Sequence, residues 1–241
     1  MGITQIITPF YLNLPSAEYR KSPRVGQFCW VPIVHLDVIP RLLDVERADP
    51  TEHYATKFTI RPLGEKDFKK KLRLPIKMLS LRETEELLIH RAKKRPAIII
   101  AAANTCFTDV DSLLKTLGKT HLQESNCLLL LPVYGIATED HDGGFPAVMV
   151  ARIKALLYQQ FFYFPREKSP LIFNSVGRLD RIQPILYHHN VFDLEPYALS
   201  PEALSVLLGM IRNLFGAEED DLLKTIKELA LEALPDEARP H

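Results

Sequence analysis

Short apolar runs broken by proline and charge dominate the chain, and few of them keep a helical period. Gly26–Val34 (GQFCWVPIV) is rich in aromatic and β-branched residues and predicts a strand. Ala97–Ala103 and Cys127–Tyr134 are unbroken apolar runs of strand length and predict buried strands. Tyr54–Ile60 and Lys71–Met78 are weaker strand candidates. Pro146–Leu157 and Tyr158–Phe164 alternate and predict strands of a meander, with short strands or turns at Leu171–Phe173 and Arg178–Pro184. Ser80 and Glu83 form a capping box that predicts a helix to about Lys93, stopped by Pro96. A short helix is expected over Asp109–Leu117, with Gly118 as terminator. Ser200-Pro201 is a hydroxyl cap followed by proline at the first helical position. Leu204, Leu207, Leu208, Ile211, Leu214 and Phe215 then share one face, and Gly216 ends the helix. Asp221–Leu234 is a last amphipathic stretch with Leu222, Ile226, Leu229 and Ala233 on one side, and residues 1–23 read as an extended arm. Locally paired strands with helices at the insertions and the end predict an α+β architecture. The expected form is a small curled antiparallel sheet or partly open barrel with peripheral helices.

Composition narrows the class. The 241 residues are 46% hydrophobic and 25% charged, which suits a folded domain and excludes a disordered or collagen-like chain. Cys29, Cys106 and Cys127 are odd in number and widely spaced, so reduced thiols in a cytoplasmic protein are expected rather than a disulfide framework or a thiolate metal site. The N-terminus lacks the basic start of a signal peptide, and no apolar run is long enough for a bilayer, so no membrane partner is expected. There is no G-x-G-x-x-G, Walker-type loop, G-x-S-x-G or H-E-x-x-H, so no cofactor and no metal are expected. His188 and His189 would point to opposite strand faces. The aromatic run Phe161–Phe164 would turn two rings outward, toward a dimer partner or a stacked base.

Charge changes this picture. Thirty basic and thirty acidic side chains cancel over the whole chain. Between Lys66 and Arg95, however, eleven bases face four acids, whereas Ala217–Glu237 holds eight acids and two bases. A basic stretch of this kind either is a solvated face or raises the local concentration of phosphate polyanions. Its end abuts the apolar strand that begins at Ala97.

At Lys94-Arg-Pro-Ala-Ile-Ile-Ile100 the sequence resembles the centre of the MazF/PemK (Kid-like) toxin family. Other segments agree in order. Gly26–Val34 resembles the first strand, Cys127-Leu-Leu-Leu-Leu-Pro132 the next core strand, and Gly144-Phe-Pro146 the segment after it. Phe173–Ile182 resembles the penultimate strand and Leu199–Gly216 the terminal helix. The resemblance implies a curled SH3-like antiparallel barrel of the CcdB/MazF type with peripheral helices, over residues 24–216. Insertions fall at about 36–94 and 104–126, with an arm at 1–23 and an acidic amphipathic tail at 217–241. It implies a homodimer that acts on single-stranded RNA as a metal-independent endoribonuclease and pairs with an antitoxin protein.

Residue by residue, the resemblance gives Arg95 the role of the catalytic arginine that neutralises the phosphate. The position five residues upstream, acidic in the family, is His90, which reads either as a base near neutral pH or as an exposed histidine. The hydroxyl that follows the strand-ending proline is absent; Tyr134 or Thr138 would supply it, and Tyr134 would equally stack on a base or fill the barrel mouth. Lys93, Lys94, Arg91, Lys70 and Lys71 are the expected RNA-binding cations. With two family positions changed, the alternative is a catalytically degenerate module that binds RNA or protein. The acidic tail is a candidate to lie across the groove in cis.

Overall fold

The computed structural model describes residues 2–47, 49, 51–69, 81, 82, 84–102, 108–119, 127–137 and 144–240. In chain order the elements are α1 (Ile3–Ile6), β1 (Tyr11–Asn13), β2 (Gln27–Val34), β3 (Arg41–Glu46), β4 (Lys57–Pro62), β5 (Leu87–Ile89) and β6 (Ala92–Ala102). There follow α2 (Thr108–Thr116), β7 (Cys127–Gly135), α3 (Ala147–Lys154), β8 (Phe161–Phe164), β9 (Ser175–Arg178), β10 (Gln183–Leu186), β11 (Asp193–Leu199), α4 (Pro201–Leu214) and α5 (Asp221–Glu232). The architecture is α+β, with mostly antiparallel sheets.

The chain divides into two compact units, Met1–Pro32 with Lys94–His241, and Ile33–Lys93. The larger sheet runs β1-β11-β2-β6-β7-β9-β8. Its spine is β7, which pairs with β6 on one side and, on the other, with β10 near its start and β9 near its end. In the smaller unit β3 pairs with β4 and β5. There Leu42 is fully buried, and Arg61 grips Asp67 through two hydrogen bonds of 2.6 and 2.9 Å while also pairing with Asp44.

The main core gathers Phe28, Ile98, Leu131, Phe162 and Phe164 of the sheet with Val206, Leu207 and Met210 of α4. Ser200 caps α4 as its sequence suggests, its Oγ accepting from Ala203 N–H at 3.2 Å. The buried stripe of α4 includes Ala203, Val206, Leu207 and Met210, so it is rotated from the leucine face read in the sequence, and Phe215 is 77% exposed. Backbone approach is closest at Gly177, where a Cβ would meet Leu131 Cδ2 and Phe164 Cε2, both at 2.8 Å.

Several expectations are corrected. Residues 1–23 are not simply an extended arm: Ile3 is fully buried, and Tyr11 pairs with Leu199. The helix expected up to Lys93 is absent from the described part of that segment, where β5 and the start of β6 stand instead. Pro96 pushes Arg95 toward extended backbone, and Leu87-Leu88-Ile89 favours a strand. Its capping residues Ser80 and Glu83, and the strand candidate Lys71–Met78, lie outside the described residues. Pro146–Leu157 forms α3 rather than a strand; its Ala, Met, Arg and Lys are good helix formers, and Ile153 points into the core. All four residues of β8 are buried. Phe162 stacks on Phe10 at 6.1 Å and Phe164 meets Phe28 at 5.9 Å, while Phe145 and Tyr158 cover Phe161 on the other face. That run offers neither a dimer surface nor a stacking surface.

The acidic tail is likewise a packed element. Leu223, Ile226 and Ala230 of α5 are buried, and α5 packs on α1 and α4. Asp220 caps α5 and pairs with Arg212 at 2.6 Å, while Glu219 pairs with Lys227. The apolar face is offset from the sequence reading, leaving Leu222 and Leu229 about 40% exposed.

Candidate nucleic-acid interface

Antiparallel pairing of β6 and β7 builds the site. Ala97 lies opposite Pro132 and Ile98 opposite Leu131, and the same register carried outward sets Arg95 opposite Tyr134. Directly opposed side chains on an antiparallel pair share a face. The Arg95 guanidinium accordingly lies over the Tyr134 ring, 4.7 Å from its centroid. The row continues, since Tyr134 opposes Val176 on β9, and Val176 opposes Tyr163 on β8. Val176 and Tyr163 are buried and Tyr134 packs against the main core, so the row is anchored at one end and opens at Arg95.

Among the described residues no carboxylate pairs with Arg95. Its face is occupied by an aromatic ring, and its in-plane N–H donors remain available to an anion. Such a planar fork suits bidentate contact with a phosphate. The Tyr134 ring backs that guanidinium on one side while itself packing against the main core. The pair can therefore hold the arginine fork in place to neutralise a phosphodiester.

The other expected residues disperse. Lys94 is exposed and paired with Asp193 of β11, and the pleat of β6 turns it to the face opposite Arg95. His90, Arg91 and Lys93 are exposed and belong to the smaller unit, His90 between β5 and β6. Lys70, Lys71 and Thr138 lie outside the described residues. So the structure brings together Arg95 and Tyr134 from the expected set. Tyr163, at the buried end of their row, has its phenol raised above the ordinary range by burial.

Sequence reading missed a cleft of about 830 Å³ between the N-terminal segment, α3 and the end of β8. Lys154 lies in its wall, with Nζ 4.9 Å from the centroid of the Tyr163 ring. The only early signal was the buried character of Ile3, Ile7 and Phe10, masked there by the absence of a clear period. Among the described residues, no three His, Cys, Asp or Glu side chains converge as a metal site, and no helix is long and apolar enough to cross a membrane. Comparison with protein-family models and with curated proteins finds no match to either.

Proposed function

We propose that the chain is a MazF/PemK-like protein that acts on single-stranded RNA, with Arg95 binding a phosphodiester and Tyr134 stacking an adjacent base. The observation that supports this reading is the Arg95–Tyr134 stack, an arginine with no carboxylate partner among the described residues. In this reading the larger antiparallel sheet is the curled SH3-like barrel, the protein works as a cytoplasmic homodimer, and an antitoxin protein covers the RNA face.

The chemistry of the family would be transesterification without metal. A base takes the proton of the ribose 2′-hydroxyl, the oxygen attacks phosphorus, and the bond to the 5′-oxygen breaks as that oxygen gains a proton. The products are a 2′,3′-cyclic phosphate and a 5′-hydroxyl. Arg95 is suited to neutralise the charge gathering on the phosphorane oxygens. Tyr134, against that guanidinium, is the candidate to stand in for the family's hydroxyl. The absence of a histidine or carboxylate in contact with Arg95, among the described residues of the larger unit, favours a second reading in which the site binds RNA without cutting it.

Incubating purified protein with a long single-stranded RNA tests both readings. Binding that weakens with salt and is lost in Arg95→Ala supports the RNA assignment. New 5′-hydroxyl ends that vanish in the same variant support cleavage, whereas binding alone supports the module. An Arg95→Ala variant indistinguishable from wild type in both assays overturns the site.

A further inference from the structure

A further pocket lies at the edge of the larger sheet. β1 covers β11 only over Tyr197–Leu199, so the Asp193–Glu195 end of β11 lacks that neighbour. The segment around Tyr19 and Arg20 and the turn after Tyr187 close around this end instead, leaving a pocket of about 460 Å³. Its walls are aromatic. Tyr187 packs on Phe192 at 5.2 Å, His189 stacks on His188 at 4.6 Å with the rings 23° apart, and the Arg20 guanidinium lies 5.1 Å from the Tyr19 ring centroid. The two histidines thus stack in a turn rather than point to opposite strand faces.

The two sides of the pocket are tied together. Gln27 is fully buried, and its Nε2 donates to Tyr19 O and to Glu195 O, both at 2.9 Å. Its Oε1 accepts from Arg24 N–H at 3.0 Å. One amide therefore holds the Tyr19 wall in register with Glu195. Of the two carboxylates lining the pocket, Asp193 is engaged by Lys94, while Glu195 has no ion-pair partner among the described residues. Burial and then Asp193 raise the Glu195 carboxyl above its ordinary value, against the smaller opposing pull of the Trp30 indole N–H and the Arg20 guanidinium.

We infer that this pocket binds a guanine base, stacked between the aromatic walls and read by the Glu195 carboxylate. An ionised carboxylate only accepts hydrogen bonds. The Watson–Crick edge of guanine presents two adjacent donors, N1–H and the N2 amino group, which match its two oxygens. Adenine and cytosine set an acceptor beside their amino group, and uracil flanks its single N–H with carbonyls, so each aims a lone pair at the carboxylate. Flat aromatic and arginine surfaces are the usual partners of an unstacked base. The base belongs either to single-stranded RNA, where the inference adds a specificity subsite to the RNA reading, or to a free guanine nucleotide, where it stands without that reading.

Trp30 is the single tryptophan of the chain, and it neighbours Glu195, so its fluorescence reports on the pocket. Titration with GMP is expected to change that signal saturably, at a concentration at least about fivefold below that needed with AMP or UMP, since a bidentate base contact discriminates by about 1–3 kcal/mol. Glu195→Gln is expected to lose the preference while its circular dichroism stays that of wild type. Equal responses to the three nucleotides, no response, or an unchanged preference in Glu195→Gln overturns the inference. If that variant misfolds, Tyr187→Ala serves instead, with GMP affinity expected to fall at least about fivefold. An oligouridylate with one central guanine separates the sources. Tighter binding than GMP assigns the pocket to RNA, and no gain over GMP assigns it to the free nucleotide. Arg95→Ala weakens the oligonucleotide and leaves GMP unchanged if both sites exist. Retained GMP binding with no RNA binding by wild type overturns the RNA reading alone.

Discussion

The guanidinium carbon of Arg95 lies over the ring of Tyr134, 4.7 Å from its centroid, across the β6–β7 pair. This contact separates two roles for the tyrosine. If the ring stacks on a base, Tyr134→Phe retains RNA affinity and Tyr134→Ala weakens it by about 1–3 kcal/mol, roughly fivefold to more than a hundredfold. If the hydroxyl takes part in cleavage, Tyr134→Phe keeps binding and loses the cleavage rate. Filter binding and single-turnover cleavage on one RNA measure both.

Arg95→Lys keeps the charge and discards the planar fork. A lysine binds phosphate as a point charge and stacks poorly on the tyrosine ring. Affinity is expected to fall by several-fold and remain above that of Arg95→Ala, while the salt dependence of binding stays near wild type because the net charge is retained. Equal affinity for the lysine variant and wild type would show that charge alone matters at this position.

Gly177 packs where β9 presses against β7 and β8. A methyl group there would stand 2.8 Å from both Leu131 Cδ2 and Phe164 Cε2, below any normal carbon contact. Gly177→Ala is expected to destabilise the fold by about 1–3 kcal/mol, the usual cost of overpacking a filled core. Urea unfolding measures it. Combining it with Leu131→Ala should cost less than the sum of the two single changes, because the removed side chain vacates the space that the methyl needs.

Much of the fold was legible because long apolar runs leave little choice. Gly26–Val34 and Cys127–Tyr134 contain too many aromatic and aliphatic residues in a row for a surface element, and each is a buried strand. The Ser200-Pro201 cap marks its helix chemically, independent of packing. Failures fell on segments whose state depends on distant partners. Pro146–Leu157 reads as alternation, yet α3 forms there and packs on β8. The four aromatic residues of β8 are buried on both faces because Phe10 and Phe28 cover one side and Phe145 and Tyr158 the other. At the site, the sequence singled out Arg95 and Tyr134 separately. Their contact needs the β6–β7 register, which no local signal encodes.

The two described cysteines should react differently. Cys29 is fully buried beside Ala97 O, and burial pushes its thiol up to about 12. Only the thiolate attacks an electrophile, so Cys29 is protected both by access and by protonation at neutral pH. Iodoacetamide followed by peptide mass spectrometry is expected to label half-buried Cys127 in the native protein and to reach Cys29 only after denaturant is added. Labelling of native Cys29 at the rate of Cys127 would contradict the burial of β2.

Two carboxylates should give opposite pH signatures of stability. Burial and the neighbouring Asp193 raise Glu195, so the native state holds that proton more tightly than the unfolded chain does. Its contribution is most favourable below the ordinary carboxylate value of about 4 and is lost as pH rises through the raised native value. Asp180 is the reverse. Arg178 bonds both of its oxygens, at 2.7 and 2.6 Å, and holds the carboxyl below its ordinary value. Its contribution is present above about pH 4 and is lost as pH falls toward the lowered native value. Glu195→Gln is therefore expected to stabilise the protein at neutral pH and to match wild type in acid. Asp180→Asn is expected to destabilise it at neutral pH and to match wild type only in strong acid. Urea midpoints across the acid range for the two variants measure the difference, and curves that shift in the same direction would show that the two carboxylates do not sit in the opposed environments described.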